Sequence, residues 1–105
     1  MTKRVANKDA RAYVRQREEF EGSNTFSMWY YQPKMYVVYS YGTHWPLFIY
    51  ADGKWYENAE KYSPSTSKHH SQLHPLCETE KRNALDMKLI AEYGVAEWMA
   101  RRLAA

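Results

Sequence analysis

The side chains that could do chemistry crowd into residues 61–75, KYSPSTSKHHSQLHP, where hydroxyl and imidazole groups occur with almost no apolar residue. Imidazole is a common general base and metal ligand, and a hydroxyl beside it can act as a nucleophile. The histidines to consider are His44, His69, His70 and His74. The hydroxyl groups to consider are those of Tyr62, Ser63 and Ser67. Hydrolysis and metal binding are therefore the first two chemistries to weigh.

Neither chemistry is complete in the sequence. The segment has one nearby carboxylate, Glu78, and one nearby thiol, Cys77, so a full ligand set would need distant residues. It has no glycine-flanked nucleophile and no acidic pair of the kind that hydrolyses glycosides. Cys77 is the single cysteine, which excludes an intramolecular disulfide and suits a reducing compartment. We therefore predict no catalytic residue, no metal, no cofactor and no enzymatic activity.

Positive charge is concentrated at the N-terminal end of the chain. The net charge is +3 over 105 residues, but residues 1–17 hold six cations against Asp9 alone, a net charge of +5. If residues 3–20 form a helix, four cations lie along one side and apolar residues along the other. The cations are Arg4, Lys8, Arg11 and Arg15. The apolar residues are Ala6, Ala10, Tyr13 and Phe20. Such a stripe can neutralise phosphates or dock on an acidic protein.

Aromatic residues are the second signal of a binding surface. Of the 17 aromatic side chains, 13 lie between Phe26 and Tyr62, more than a core of this size needs. Exposed Tyr and Trp rings are typical of protein interfaces and of surfaces that stack on unpaired bases. Besides the four cations, the residues that we predict to bind a partner are Tyr36, Tyr41, His44, Trp45, Tyr62, Lys68 and His69.

The elements that must position these residues are predicted from local patterns. A helix over 3–20, capped by Thr2 and ended by residues 22–24, precedes aromatic and β-branched runs typical of antiparallel strands. The predicted strands cover 27–31, 35–41, 46–50 and 54–57. Gln32-Pro33 turns the first pair, and Asp52-Gly53 predicts a type I′ turn in the last.

Residues 58–75 and the C-terminal part complete the predicted fold. Residues 58–75 lack periodicity and are predicted to be a loop, either functional or disordered. Helix formers predict one helix from 75 or 79 to 92 and another over 95–103, with a break at Gly94. The side chains of the last helix that are predicted to pack in the core are those of Val95, Met99 and Leu103. The prediction is one α+β domain over 1–105, a three- to four-stranded antiparallel sheet with an N-terminal helix and one or two C-terminal helices on one face.

The location of the protein is predicted from the hydropathy of its sequence. No apolar run approaches the about 20 residues that span a bilayer, and residues 1–20 lack the apolar centre of a secretory signal. A cytoplasmic protein without a membrane partner is expected.

Residues 89–105, LIAEYGVAEWMARRLAA, loosely resemble a helix-turn-helix that ends in Arg101-Arg102, although Ile90 occupies a position where that motif has a small residue.

The residues in 36–75 that carry a family likeness are Tyr39, Tyr41, Gly42, Thr43, His44, Trp45, Pro46, Trp55, Asn58, Tyr62, Ser63, Thr66, Ser67, Lys68, His69 and Gln72. Through them this segment resembles a small family of uncharacterised proteins encoded by phages and other mobile elements. The resemblance implies that the turn 41–45 and the segment 62–69 lie side by side, so that the loop is ordered. By class analogy it also implies an anti-CRISPR or other anti-defence protein.

The leading hypothesis is a non-enzymatic inhibitor that binds a host defence protein or ribonucleoprotein complex of the CRISPR type. It would act in the host cytoplasm and block nucleic-acid recognition or cleavage. The alternative is a nucleic-acid-binding protein, either a single-strand binder or a small transcriptional regulator. A homodimer is compatible with both hypotheses.

Overall fold

The computed structural model describes residues 3–60 and 63–104, whose strands form one seven-stranded mixed sheet. The strands are β1 (Lys3–Arg4), β2 (Phe20–Glu21), β3 (Thr25–Tyr31), β4 (Lys34–Ser40), β5 (Pro46–Ala51), β6 (Lys54–Asn58) and β7 (Glu80–Arg82). They lie in chain order, with β1 parallel to β2, β6 parallel to β7 and antiparallel pairing elsewhere. The α+β class is confirmed. The predicted three- to four-stranded antiparallel sheet is wrong, because short edge strands extend the sheet on both sides.

The four central strands, β3 to β6, are the ones that the sequence predicted. Gln32-Pro33, joined by a cis peptide bond, makes the turn between β3 and β4. Asp52 at φ 54° and Gly53 at φ 75° join β5 to β6. Two successive positive φ angles are the signature of a type I′ turn, so that prediction is confirmed.

The predicted helix over 3–20 is wrong. Only Arg11–Gln16 form an α-helix, α1, and a 3-10 turn over Asn7–Asp9 precedes it. Arg17 ends α1 in the left-handed region at φ 56°, and the chain returns to the sheet as β2. The four cations of the predicted stripe therefore lie on three different elements, β1, the 3-10 turn and α1, and form no stripe.

Asn7 explains why the chain leaves the predicted helix. Its Nδ2 donates to Ser23 O (2.9 Å), and its Oδ1 accepts from Ser23 N (3.0 Å) and Thr25 Oγ1 (2.7 Å). These bonds reach residues 16 and 18 positions further along the chain, so they are tertiary contacts that tie Asn7 to the sheet edge instead of to a continuous helix. Gly22 is required beside it, because a Cβ there would collide with the Asn7 carboxamide and with Thr25 Oγ1. These contacts anchor the N-terminal segment to the sheet edge.

The predicted loop over 58–75 is also wrong, since Pro64–Leu73 form a helix, α2. Ser63 caps it by accepting from Thr66 N at 3.1 Å, and a proline occupies the first turn, where a missing N–H is tolerated. The side chains that α2 buries are those of Thr66, His69 and Leu73. Because its buried side is mostly polar, hydrophobic periodicity does not reveal this helix.

Helices cover both faces of the sheet, and not one face as predicted. The two C-terminal helices are α3 (Ala84–Tyr93) and α4 (Val95–Ala104). Met35, Val37 and Tyr39 of β4 belong to the core cluster that contains residues of α3 and α4. The alternate residues Tyr36 and Val38 belong to the cluster that contains residues of α1 and α2. Successive strand residues point to opposite faces, so the sheet separates two cores.

The last helix differs from its predicted packing. Gly94, at φ 90°, separates α3 from α4, which confirms the predicted break. Val95 is buried as predicted, but Met99 and Leu103 are 50% and 87% exposed. The predicted core stripe through these three residues is therefore wrong, and Trp98 is the residue that α4 buries most deeply.

Candidate functional site

A groove of about 480 Å³ opens where the 3-10 turn, the end of β4 and α2 meet, and we call it the basic groove. The residues predicted to bind a partner that line it are Lys8, Tyr41, Lys68 and His69. Asn24 and Gln72, which carry carboxamides, also line it. None of the described residues that line the groove is acidic, so no lining carboxylate compensates the charge of its two lysines. Such a surface attracts anions.

His69 forms the buried part of the groove wall. Its Nδ1 lies 2.8 Å from Oγ of Ser40, a residue that is fully buried. Burial disfavours the imidazolium and, with the positive charge of Lys68, lowers the pKa of His69 below its ordinary value of 6.5. At neutral pH the positive charge of the groove therefore comes from its two lysines.

Tyr41 brings the turn after β4 against α2. Its ring centroid lies 5.4 Å from that of His69, its amide donates to Asn24 O at 2.8 Å, and its side chain is 46% exposed. The resemblance implied that the turn 41–45 and the segment 62–69 lie side by side. Tyr41 and His69 do meet, although the second segment is helical where the structure describes it.

A second polar cluster holds α2 on the sheet, and we call it the carboxylate–histidine cluster. Glu57 of β6, 6% exposed, lies 2.9 Å from His70 Nε2 and 3.1 Å from His74 Nε2. The same carboxylate accepts a hydrogen bond from Thr79 Oγ1. The Phe48 ring packs against both imidazoles, at centroid distances of 5.0 and 5.3 Å. The cluster consequently joins α2 to β6 and to the segment before β7.

Hydrogen bonds orient the His74 ring and act on the pKa of Glu57. His74 Nδ1 accepts from Leu76 N at 2.9 Å, so the proton of the neutral ring is on Nε2 and points to Glu57. Burial alone would raise the pKa of Glu57. The hydrogen bond from Thr79, the charge of His70 and the hydrogen bond from His74 outweigh burial and lower that pKa below 4.5. No group of three or more His, Cys, Asp or Glu among residues 3–60 and 63–104 is arranged to hold a metal ion.

Two of the predicted cations have structural partners outside the basic groove. Arg11 Nε donates to His74 O at 2.9 Å, and its Nη2 donates to Ser71 O. These carbonyls lie at the end of α2, where a cation is favourable. Arg4 pairs with Glu21 at 3.3 Å, and both side chains are exposed. Arg11 thus positions α2, while Arg4 lies on the edge strand β1.

The remaining residues predicted to bind a partner are scattered. Tyr36 is fully buried, its hydroxyl donates to a backbone carbonyl at 2.7 Å, and burial raises its pKa. It is not available to a partner. Trp45 is half-buried against the core, and His44 is exposed but lines a separate cavity of about 510 Å³. Arg15 is exposed on α1, and Tyr62 lies outside the described residues.

Sequence reasoning missed Glu57 and the carboxamides of Asn24 and Gln72. A signal for Glu57 exists, because it is a carboxylate that directly follows Trp55 and Tyr56 in a strand, and a carboxylate buried there needs a partner. The Ser-Pro start of α2 then places His70 in the last turn of the helix and His74 directly after its end. Local sequence offers no comparable signal for the two carboxamides.

A comparison with protein-family models, with curated proteins and with solved structures finds no match to this chain. In the part of the chain that the structure describes, no helix has both the length and the hydropathy to cross a membrane. The likeness to phage and mobile-element proteins stays a prediction. The fold defines an α+β protein with helices on both faces of a mixed sheet, and the basic groove is its candidate site.

Proposed function

We propose that the protein is a non-catalytic nucleic-acid-binding protein and that the basic groove is its contact surface. The observation that carries this proposal is the convergence of Lys8 and Lys68, from two elements, in a groove whose described lining is free of acidic residues. An ammonium group is a compact charge that pairs well with phosphate oxygens. Two such contacts to a single strand give a slope of about −1.4 in log Kobs against log salt concentration.

The groups around the lysines suit a nucleic-acid strand better than a lone anion. Asn24 and Gln72 each offer two donors and an acceptor, which suit sugars and base edges. Tyr41 offers a partly exposed ring in the same groove. A surface that combines cations, amides and a ring is typical of strand binding.

The polar arrangements that resemble catalytic groups are both used to hold α2. The Ser40 hydroxyl is fully buried beneath His69, so it cannot reach a substrate as a nucleophile. His70 and His74 point their Nε2 atoms at the buried carboxylate of Glu57. Both contacts support a binding role for the chain rather than a catalytic one.

A second candidate function combines the same groove with the resemblance to phage proteins. It is an inhibitor of a host defence complex of the CRISPR type, acting in the host cytoplasm. The channels that hold nucleic acid in such complexes are positively charged and would repel a basic groove. The charge of the groove therefore favours contact with the nucleic-acid component, which would block recognition or cleavage. This version predicts that the protein binds the loaded complex and not the nuclease without nucleic acid.

Fluorescence anisotropy of a labelled single strand of about 16 nucleotides, as DNA and as RNA, tests the first proposal. We expect binding that weakens with salt along the slope given above. Replacing both groove lysines, Lys8→Ala with Lys68→Ala, should weaken binding on the order of 100-fold, about 1.4 kcal/mol per lysine.

The matched control is Lys88→Ala, which removes an exposed lysine of α3 on the other face of the sheet. It should bind like the wild type. Wild-type protein that binds neither DNA nor RNA at low salt would refute the proposal. So would a Lys8→Ala/Lys68→Ala variant that is folded, by circular dichroism, and binds as tightly as Lys88→Ala.

A further inference from the structure

Tyr41 adopts a backbone conformation that its side chain disfavours. Its φ is 66°, in the left-handed region where a Cβ crowds the backbone and where glycine or asparagine is the usual residue. The fold imposes this conformation, because β4 ends at Ser40 and the Tyr41 amide donates to Asn24 O across the turn. Bulky residues held in this region are concentrated at functional sites. The position would suit asparagine better, so the ring itself needs an explanation.

The ring of Tyr41 contributes little to the core. Nearly half of its side chain is exposed, and it belongs to neither core cluster of the described residues. Tyr36 and Tyr39, on the strand before it, are buried and belong to those clusters. The His69 imidazole flanks the Tyr41 ring at an interplanar angle of 40° and restricts its orientation. Packing therefore does not account for a tyrosine at this position, whereas a partner in the groove does.

A strand whose phosphates contact Lys8 and Lys68 passes Tyr41, because all three residues line one groove. An unpaired base can offer its face to the ring. In a duplex the neighbouring bases cover both faces of each base, and extruding one base costs binding free energy. The ring and the two lysines together therefore fit a single strand and do not fit an intact duplex.

We infer that Tyr41 determines the specificity of the basic groove, by stacking on an unpaired base and so selecting single-stranded over double-stranded nucleic acid. The inference rests on the proposed function that the groove binds nucleic acid.

The test compares a labelled single strand with the duplex of the same sequence, against wild type, Tyr41→Asn and Tyr41→Phe. Wild type should prefer the single strand by about 5- to 150-fold, which corresponds to about 1–3 kcal/mol for one stacked base. Tyr41→Asn should lose that preference while its salt dependence persists. Tyr41→Phe keeps the ring and should bind within about twofold of wild type.

Thermal unfolding of the same variants distinguishes recognition from a structural role. Tyr41→Asn should unfold at a Tm equal to or above that of wild type, because relief of backbone strain offsets the lost ring contact. A lower Tm would mean that the ring is needed for folding and would overturn the inference.

The two proposals fail in different ways. Wild-type protein that binds neither strand nor duplex at low salt overturns the nucleic-acid function and this inference together. Equal binding of strand and duplex by wild type overturns the inference alone and leaves a phosphate-binding groove. The inference alone is also overturned if Tyr41→Asn keeps the full preference for the single strand, or if Tyr41→Phe loses it.

Discussion

Replacing Glu57 with glutamine should destabilise the protein while leaving the shape of its side chain nearly unchanged. The carboxylate of Glu57 is 6% exposed and receives His70 Nε2, His74 Nε2 and Thr79 Oγ1. A glutamine at this position presents one oxygen and one NH2 group, so it cannot serve as an acceptor along both edges. The tautomer of His74 is fixed by its bond from Leu76 N, so that ring cannot adapt by moving its proton.

The magnitude follows from the number of charge-assisted hydrogen bonds. Each such bond contributes about 1.5–3 kcal/mol, against about 0.5–1.5 kcal/mol for a neutral one. Weakening three bonds by about 1 kcal/mol each lowers the free energy of unfolding by about 3 kcal/mol. For a domain of this size that corresponds to a fall in Tm of about 12–24 °C.

The pH dependence provides a second, independent readout of Glu57→Gln. The pKa of Glu57 is lowered in the folded protein, so the unfolded chain binds more protons as the pH falls below 4.5. The stability that Glu57 contributes is therefore present above pH 4.5 and is lost as the pH falls through the lowered folded value. The difference between wild type and Glu57→Gln should shrink in that range, because glutamine does not titrate.

Urea unfolding followed by tryptophan fluorescence, at neutral and acid pH, measures both effects. Glu97→Gln is the matched control, since Glu97 and Arg101 form a half-exposed pair at 3.2 Å, and it should change stability by about 0.5 kcal/mol or less. A loss below about 1 kcal/mol for Glu57→Gln, or an unchanged difference between the proteins at acid pH, would refute the reasoning.

Two further predictions concern the elements beside the groove. Asn7→Ala removes three hydrogen bonds to Ser23 and Thr25 and should lower the free energy of unfolding, measured in urea, by about 2–3 kcal/mol. A loss as small as that for substitution of an exposed residue would contradict the anchoring role of Asn7. His69 has a pKa lowered by burial, so the unfolded chain binds more protons below pH 6.5 and stability should fall as the pH drops through this range. His69→Gln should lack this phase as the pH falls below 6.5, and persistence of the phase would assign the titration to another group.

The central meander, β3 to β6, could be predicted because its signals are local. Short aromatic and β-branched runs mark the strands, and Asp52-Gly53 supplies the positive φ angles of the turn. The edge strands carry no such signal. β1, β2 and β7 have two or three residues each and exist through pairing with a neighbour, which is why residues 80–82 were predicted as part of a helix.

The predictions of a helix over 3–20 and of a loop over 58–75 were wrong for a different physical reason. Residues 3–20 have helical propensity, but the side-chain bonds of Asn7 at the sheet edge outweigh it. Residues 64–73 lack an apolar stripe, and their helix is held by buried polar contacts such as those of His69 with Ser40 and of His70 with Glu57. Neither helix propensity nor hydrophobic periodicity can detect contacts of this kind.

The sequence by itself determined the residue types, the excess of positive charge near the N-terminus and the antiparallel centre of the sheet. It also led to the hypothesis that some aromatic rings are exposed. Only the tertiary structure decided which of these residues share a site. Lys8 was predicted on a helical stripe and Lys68 in a loop, yet both line one groove because Asn7 anchors one segment and Glu57 holds α2. Residues about sixty positions apart meet through hydrogen bonds and burial across the sheet, as Arg11 does with His74 O, and those contacts have no local signature.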